Sequence, residues 1–153
     1  MIKRILLLTM ITTLIFTNWY YYNAYYNEVD GRLANSTFHG LLFEIEYHKG
    51  DVRSGVSADG IKWQQKMHFD YGQFKNIKGN DNEPLDFFMK SNNTSGKIFR
   101  VIQLNVLTGR FDEYKIMIGF DSIGEAKMAY LLHYPDGWSG YGGIEEISIE
   151  EIK

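Results

Sequence analysis

The N-terminal end of the chain has the longest apolar run in the sequence. Lys3 and Arg4 precede residues 5–16, which carry no charge, and a cluster of tyrosines follows. A positive start and an apolar run of this length are typical of a signal peptide, whereas clustered aromatics after the run also suit an uncleaved membrane anchor. We therefore expect residues 1–26 to be a signal peptide or an anchor that leaves the body outside the cytoplasm, with a buried helix of a cytoplasmic protein as the alternative.

The polar residues 27–40 have no clear period and are interpreted as a linker. After them, hydrophobic and polar positions alternate in residues 41–48, which predicts a half-buried strand. Asp59-Gly60 predicts a tight turn between two short strands. Residues 97–120 predict a hairpin that turns near Thr108-Gly109, because both arms are rich in β-branched and aromatic residues.

One segment has helical rather than strand periodicity. Ser122 followed three residues later by Glu125 forms a capping-box pattern, and Pro135 ends the segment. We therefore predict one clear helix over about 122–134. The chain is then expected to be mainly β (α+β), with residues 41–153 forming a single domain.

Composition and charge exclude several kinds of function. The 153 residues have a net charge of −3, which does not provide the basic surface that nucleic acid needs. The absence of cysteine excludes disulfides, cysteine nucleophiles and thiolate metal sites. The four histidines show no metal-ligand spacing.

The densest chemistry lies in residues 79–88, GNDNEPLDFF. Asp81, Glu83 and Asp86 fall within six positions around Pro84. Carboxylates are the ligands that Mg²⁺ prefers, together with water and phosphate oxygens, so a magnesium site is one interpretation. A solvated turn is the other, because Asn and Asp are ordinary turn formers.

A family resemblance favours the first interpretation. The run from Asp81 to Asp86 resembles the D-x-D-P-x-D signature of soluble family I inorganic pyrophosphatases. Three further blocks resemble the pyrophosphatase-like domains of phage polyvalent proteins, and the resemblance covers roughly residues 44–153. These blocks run from Val52 through Asp70-Tyr71-Gly72, from Thr108 to Phe120, and from Ala129 to Trp138.

The resemblance implies a five-stranded OB-like barrel that carries a helix. It also implies hydrolysis of pyrophosphate, or a related phosphoanhydride, with several Mg²⁺ ions. By match to the family's motifs, Asp81 and Asp86 would bind metal and Glu83 would orient or deprotonate the water. The remaining implied residues are Arg53 and Lys115 as phosphate contacts, Tyr71 as a supporting hydroxyl, and Glu46 with Asp112 or Glu113 as further acidic metal ligands.

Three positions depart from the family pattern. Glu83 replaces an aspartate, and Ile102 and Asn105 stand at or near positions where phage relatives usually carry aspartates. Fewer anionic ligands bind Mg²⁺ less tightly. The sequence therefore leaves two functions open: a hydrolase, with activity reduced by these changes, and a catalytically inactive binding or structural module displayed at a membrane or a phage-derived assembly.

Overall fold

The fold is mainly β with one helix, in a computed structural model that describes residues 36–57, 60–91 and 95–153. Residues Thr37–Lys153 form one compact unit. The strands are β1 (Ser36–Phe38), β2 (Leu41–Tyr47), β3 (Val52–Val56), β4 (Lys62–Lys66), β5 (Asp70–Lys78), β6 (Pro84–Met89), β7 (Ile98–Leu104), β8 (Phe111–Ile118) and β9 (Tyr141–Ile147). Helix α1 spans Ile123–Leu131, and a short 3-10 helix spans Ile149–Glu151.

Seven of these strands form a curled sheet that resembles half a barrel. Their order is β1-β2-β5-β6-β8-β7-β9, and β6 runs parallel to β8. The other two, β3 and β4, pair only with each other among the described residues. The expected count of five strands is therefore wrong. The described sheet has free edges at β1 and β9, and the β3–β4 hairpin forms a second small sheet of its own.

Each face of the large sheet carries its own apolar cluster, because side chains alternate along a strand. One cluster includes Phe74, Phe87 and Ile118. The other includes Phe88, Phe99 and Met117 and is covered by Ala126, Ala129 and Tyr130 of α1. The helix therefore packs on only one face of the sheet.

The predicted helix is confirmed, with a different C-terminal end. Ser122 Oγ accepts a hydrogen bond from the Glu125 amide at 3.2 Å. The Glu125 carboxylate accepts a hydrogen bond from the Asp121 amide at 2.7 Å, so it bonds to the residue before the N-cap rather than to the N-cap residue Ser122. The helix ends at Leu131 because the next amides, of His133 and Tyr134, bond to carbonyls three residues back in a tighter turn.

Other expected elements are also present. The strand at 41–48 is β2, and the hairpin at 97–120 is β7 with β8. Within residues 36–57, 60–91 and 95–153, no helix combines the length and apolarity needed to cross a membrane. The segment 1–26, expected to be a signal peptide or anchor, lies outside the described residues, as does the part of the expected linker before residue 36.

Candidate functional site

Four neighbouring strands place polar side chains on the helix-covered face of the large sheet. The strands β5, β6, β8 and β7 are adjacent in that order. Phe87 pairs with Ile116 across β6 and β8, so extending the register by one residue brings Asp86 beside Lys115. These side chains alternate with residues that face the opposite cluster. The polar side chains on this face are Tyr71, Asp86, Lys115, Glu113 and Gln103.

Lys115 lies at the centre of this group and is 6% exposed. Its ammonium bonds to Asp86 Oδ2 and lies 2.8 Å from Glu113 Oε2. It also donates to the Tyr71 hydroxyl at 3.4 Å. Burial opposes the charged form, but the charges of Asp86 and Glu113 outweigh that effect and raise the pKa of Lys115. Lys115 therefore remains a cation at neutral pH.

Tyr71 connects Lys115 to an arginine. The buried Tyr71 hydroxyl donates to Asp86 Oδ2, and burial raises the pKa of this phenol, so it stays protonated. The guanidinium carbon of Arg53 lies 4.4 Å from the centre of the Tyr71 ring. Among the described residues Arg53 has no carboxylate within 4.0 Å. The donor edges of its guanidinium are therefore not taken up by an acid of the described part of the chain.

Two acids beside this group are harder to ionise than usual. Burial raises the pKa of Glu113, and the charges of Asp86 and Asp112 add to the rise. Burial and the Asp86 charge raise the pKa of Glu46, although this side chain is largely exposed at the end of β2. The direction is the same for both acids because burial is the largest cause in each case, and the Asp86 charge adds to it.

Gln103 is a polar member of the group that the sequence did not indicate. Its amide nitrogen donates to Glu113 at 2.6 Å and to Asp112 at 3.2 Å. Its amide oxygen accepts from the hydroxyls of Tyr130 at 2.7 Å and Tyr134 at 3.0 Å. Alternation along β7 places Gln103 on the same face as Phe99 and Val101 of the helix-covered cluster. A glutamine inside a strand carries no signal of such a role before the fold is known.

The acidic turn is arranged differently from the cluster. The Asp81 carboxylate accepts a hydrogen bond from the Glu83 amide at 3.0 Å, which is an Asx turn. Both Asp81 and Glu83 are exposed, and Asn82 has a left-handed φ of 68°. The described contacts of Asp81 thus lie within the turn, whereas Asp86, five residues on, belongs to the Lys115 cluster.

In the described part of the chain, no three Asp, Glu, His or Cys side chains already stand close enough to hold a metal ion. The site does have the donor chemistry for Mg²⁺, because its acids supply carboxylate oxygens. Burial disfavours the charged forms of Glu46 and Glu113 and raises their pKa values. A divalent cation beside these acids would favour the charged carboxylates, so the residues fit the ion chemically.

Comparison with known protein families identifies a relationship over most of the chain. A family model described as Inorganic Pyrophosphatase matches residues 24–153, which is most of the chain. Searches of curated proteins and of solved structures found no match. The family match includes β1 to β9, helix α1 and all the site residues described above. The chain therefore belongs to the inorganic pyrophosphatase family.

Proposed function

We propose that this protein hydrolyses pyrophosphate or a related phosphoanhydride at the Lys115 cluster. The observation that carries the proposal is a buried lysine that contacts Asp86, Glu113 and Tyr71, with Arg53 over the Tyr71 ring. Pyrophosphate is a dense anion, and a site for it needs fixed cations and hydroxyl donors beside the acids that assist hydrolysis. Membership of the pyrophosphatase family supports the same substrate class.

The chain's own cations and phenol would hold the phosphate groups. No acid within the described residues takes up the donor edges of Arg53, and guanidinium donors match the spacing of phosphate oxygens. In the structure the single Tyr71 O–H is donated to Asp86, and the Lys115 ammonium is engaged by Asp86 and Glu113, so each would exchange a carboxylate for a phosphate oxygen on binding. These donors would meet negative charge as it develops on the leaving phosphate.

We propose that Mg²⁺ is the cofactor, because members of this family generally use divalent metals. The acids that would hold the ion are Asp81, Asp86, Glu83, Glu46, Asp112 and Glu113. When bound, Mg²⁺ neutralises substrate charge and lowers the pKa of a coordinated water. Glu83, which occupies the position of the family's water-orienting aspartate, would accept the water proton; its extra methylene places the carboxylate further from the backbone.

A binding module without catalysis is the second candidate, and Asn105 favours it. The Asn105 side-chain oxygen accepts from the amides of Leu107 at 3.0 Å and Thr108 at 3.1 Å, so it holds the β7–β8 turn. The neighbouring Ile102 has no donor atom on its side chain. In this alternative the domain would bind a phosphate compound, or act structurally, while the segment 1–26 exports it or attaches it to a membrane or a phage-derived assembly.

The experiment is phosphate release from pyrophosphate by the purified full chain at millimolar Mg²⁺. We expect turnover by the native sequence and a loss of at least about 100-fold in Asp86→Asn, because the variant keeps the shape but removes the charge that fixes Lys115. Asp136→Asn, which removes an exposed acid in the turn after α1, is the matched control and should retain turnover. Equal background in all three proteins would contradict hydrolysis and favour the binding module.

A further inference from the structure

The β3–β4 hairpin carries Arg53 to the site on its inner face. Exposure alternates along β3: Val52, Ser54 and Val56 are exposed, whereas Arg53 and Gly55 are half-buried. The hairpin continues from the body through paired backbone bonds between residues 50–51 and Met67, each 2.8 Å long. Its inner face therefore has a defined position beside Tyr71, which follows closely in β5.

Trp63 lies against that inner face because the residue opposite it is a glycine. Gly55 pairs with Trp63 across the two strands. A Cβ atom at Gly55 would lie 2.5 Å from Trp63 Cζ2 and 2.8 Å from Cε2, so any larger residue would displace the indole. An aromatic ring that covers a glycine on a neighbouring strand is a stabilising cross-strand arrangement.

The indole in this position contacts the arginine. The guanidinium carbon of Arg53 lies over the Trp63 ring at 5.5 Å and over the Tyr71 ring at 4.4 Å. Both distances are within the range of a cation–π interaction. Stacking uses the flat faces of a guanidinium and leaves its N–H edges free for an anion. Two rings therefore restrict the plane of Arg53 without consuming its donors.

We propose that Trp63 is a positioning residue that orients Arg53 for the phosphate groups of the substrate, with Gly55 providing the space for its ring. The inference rests on the proposed phosphate-binding role of Arg53, but not on turnover. Trp63 is 36% exposed, so a ligand that engages Arg53 alters the surroundings of a fluorescent side chain.

The test uses imidodiphosphate, a non-hydrolysable analogue of pyrophosphate, with Mg²⁺ and the full chain. Tryptophan fluorescence of the native sequence should change saturably, and Trp63→Phe should abolish most of the change. In calorimetry, Trp63→Leu should bind about 3- to 30-fold more weakly, the loss that a cation–π contact of this kind implies. Trp63→Phe, which keeps a ring, should recover part of the affinity.

Two further variants separate positioning from folding. Gly55→Ala keeps the Trp63 indole but displaces it, and should also weaken the binding of imidodiphosphate, as Trp63→Leu does. Ser54→Ala lies on the outer face of the same strand and should bind like the native sequence. Native-like affinity in both Trp63→Leu and Gly55→Ala would overturn the inference.

Turnover measurements distinguish this inference from the proposed hydrolysis. Trp63→Leu should raise KM by more than it lowers kcat, because it loosens a binding group rather than the reacting acids. If the native chain binds imidodiphosphate through Trp63 but releases no phosphate from pyrophosphate, hydrolysis fails and the inference holds. If the native chain hydrolyses pyrophosphate and Trp63→Leu has native KM and kcat, the inference alone fails. If imidodiphosphate does not bind, the inference fails.

Discussion

Replacing Lys115 with methionine tests whether the cluster depends on its one buried ammonium. The change keeps most of the side-chain volume but leaves Asp86 and Glu113, 19% and 25% exposed, without their shared cation. Removing one partner of a buried ion pair costs about 3 to 5 kcal/mol. Because both carboxylates keep some contact with water, we expect the lower figure, about 3 kcal/mol, and a fall in Tm of roughly 10 °C.

Urea denaturation followed by circular dichroism measures this loss. The pKa of Glu113 is already raised, so acidification should protonate it in the variant and narrow the difference in free energy of unfolding between the variant and the native sequence. Millimolar Mg²⁺ should stabilise the variant more than the native sequence, since a cation can replace the missing charge. Lys62→Met, an exposed change in β4, is the control and should cost less than about 0.5 kcal/mol. A Lys115→Met protein as stable as this control would refute the reasoning.

Three further predictions concern folding stability. Burial lowers the pKa of His133 to about 4, whereas it is 6.5 in the unfolded chain. Between these values the unfolded state binds one more proton than the folded state, so stability should fall by up to ~3 kcal/mol as the pH is lowered from 6.5 to 4. His133→Gln should reduce the dependence of the free energy of unfolding on pH, measured by urea titrations across this range. An unchanged dependence would argue against His133 as its source. Gln103→Leu should cost about 3 kcal/mol in urea unfolding, because two hydroxyls and two carboxylates lose a partner; a loss below 1 kcal/mol would contradict the network. Gly72→Ala should cost about 2 kcal/mol, measured by thermal melts, because the new Cβ would lie 2.0 Å from the Glu44 carbonyl oxygen. A native Tm would show that β2 and β5 move apart easily.

Local pattern predicted the individual elements better than their assembly. The alternation in 41–48 and the capping residue Ser122 are local signals, and β2 and α1 are present. Sheet order depends on pairing between distant strands, which alternation does not encode. Local pattern also does not show how much of the helix is buried: Ala126, Ala129 and Tyr130 are buried, whereas Ile123 is 45% exposed. The helix is short and contacts only one face of the sheet, so its buried stripe is narrow.

The candidate site could be predicted only in part, because the sequence identifies single residues but not which strands are neighbours. Residues of the family motif such as Asp86 and Lys115 can be identified one by one from the sequence, and strand adjacency then brings these two together. Gln103 was missed because its partners are carboxylates of the adjacent strand β8 and two distant tyrosines, one in α1 and one just after it. The metal-binding role of Asp81 stays a prediction, since its described hydrogen bond holds the turn.

The most direct test of the central claim is hydrolysis of pyrophosphate in ¹⁸O-labelled water. The full chain with Mg²⁺ is incubated with substrate, and the phosphate products are analysed by mass spectrometry. Cleavage by water at the Lys115 cluster predicts that the native protein and Asp136→Asn form ¹⁸O-labelled phosphate at similar rates, whereas Asp86→Asn forms it at least about 100-fold more slowly. Label at the same low level in all three proteins would show that this cluster does not catalyse the reaction.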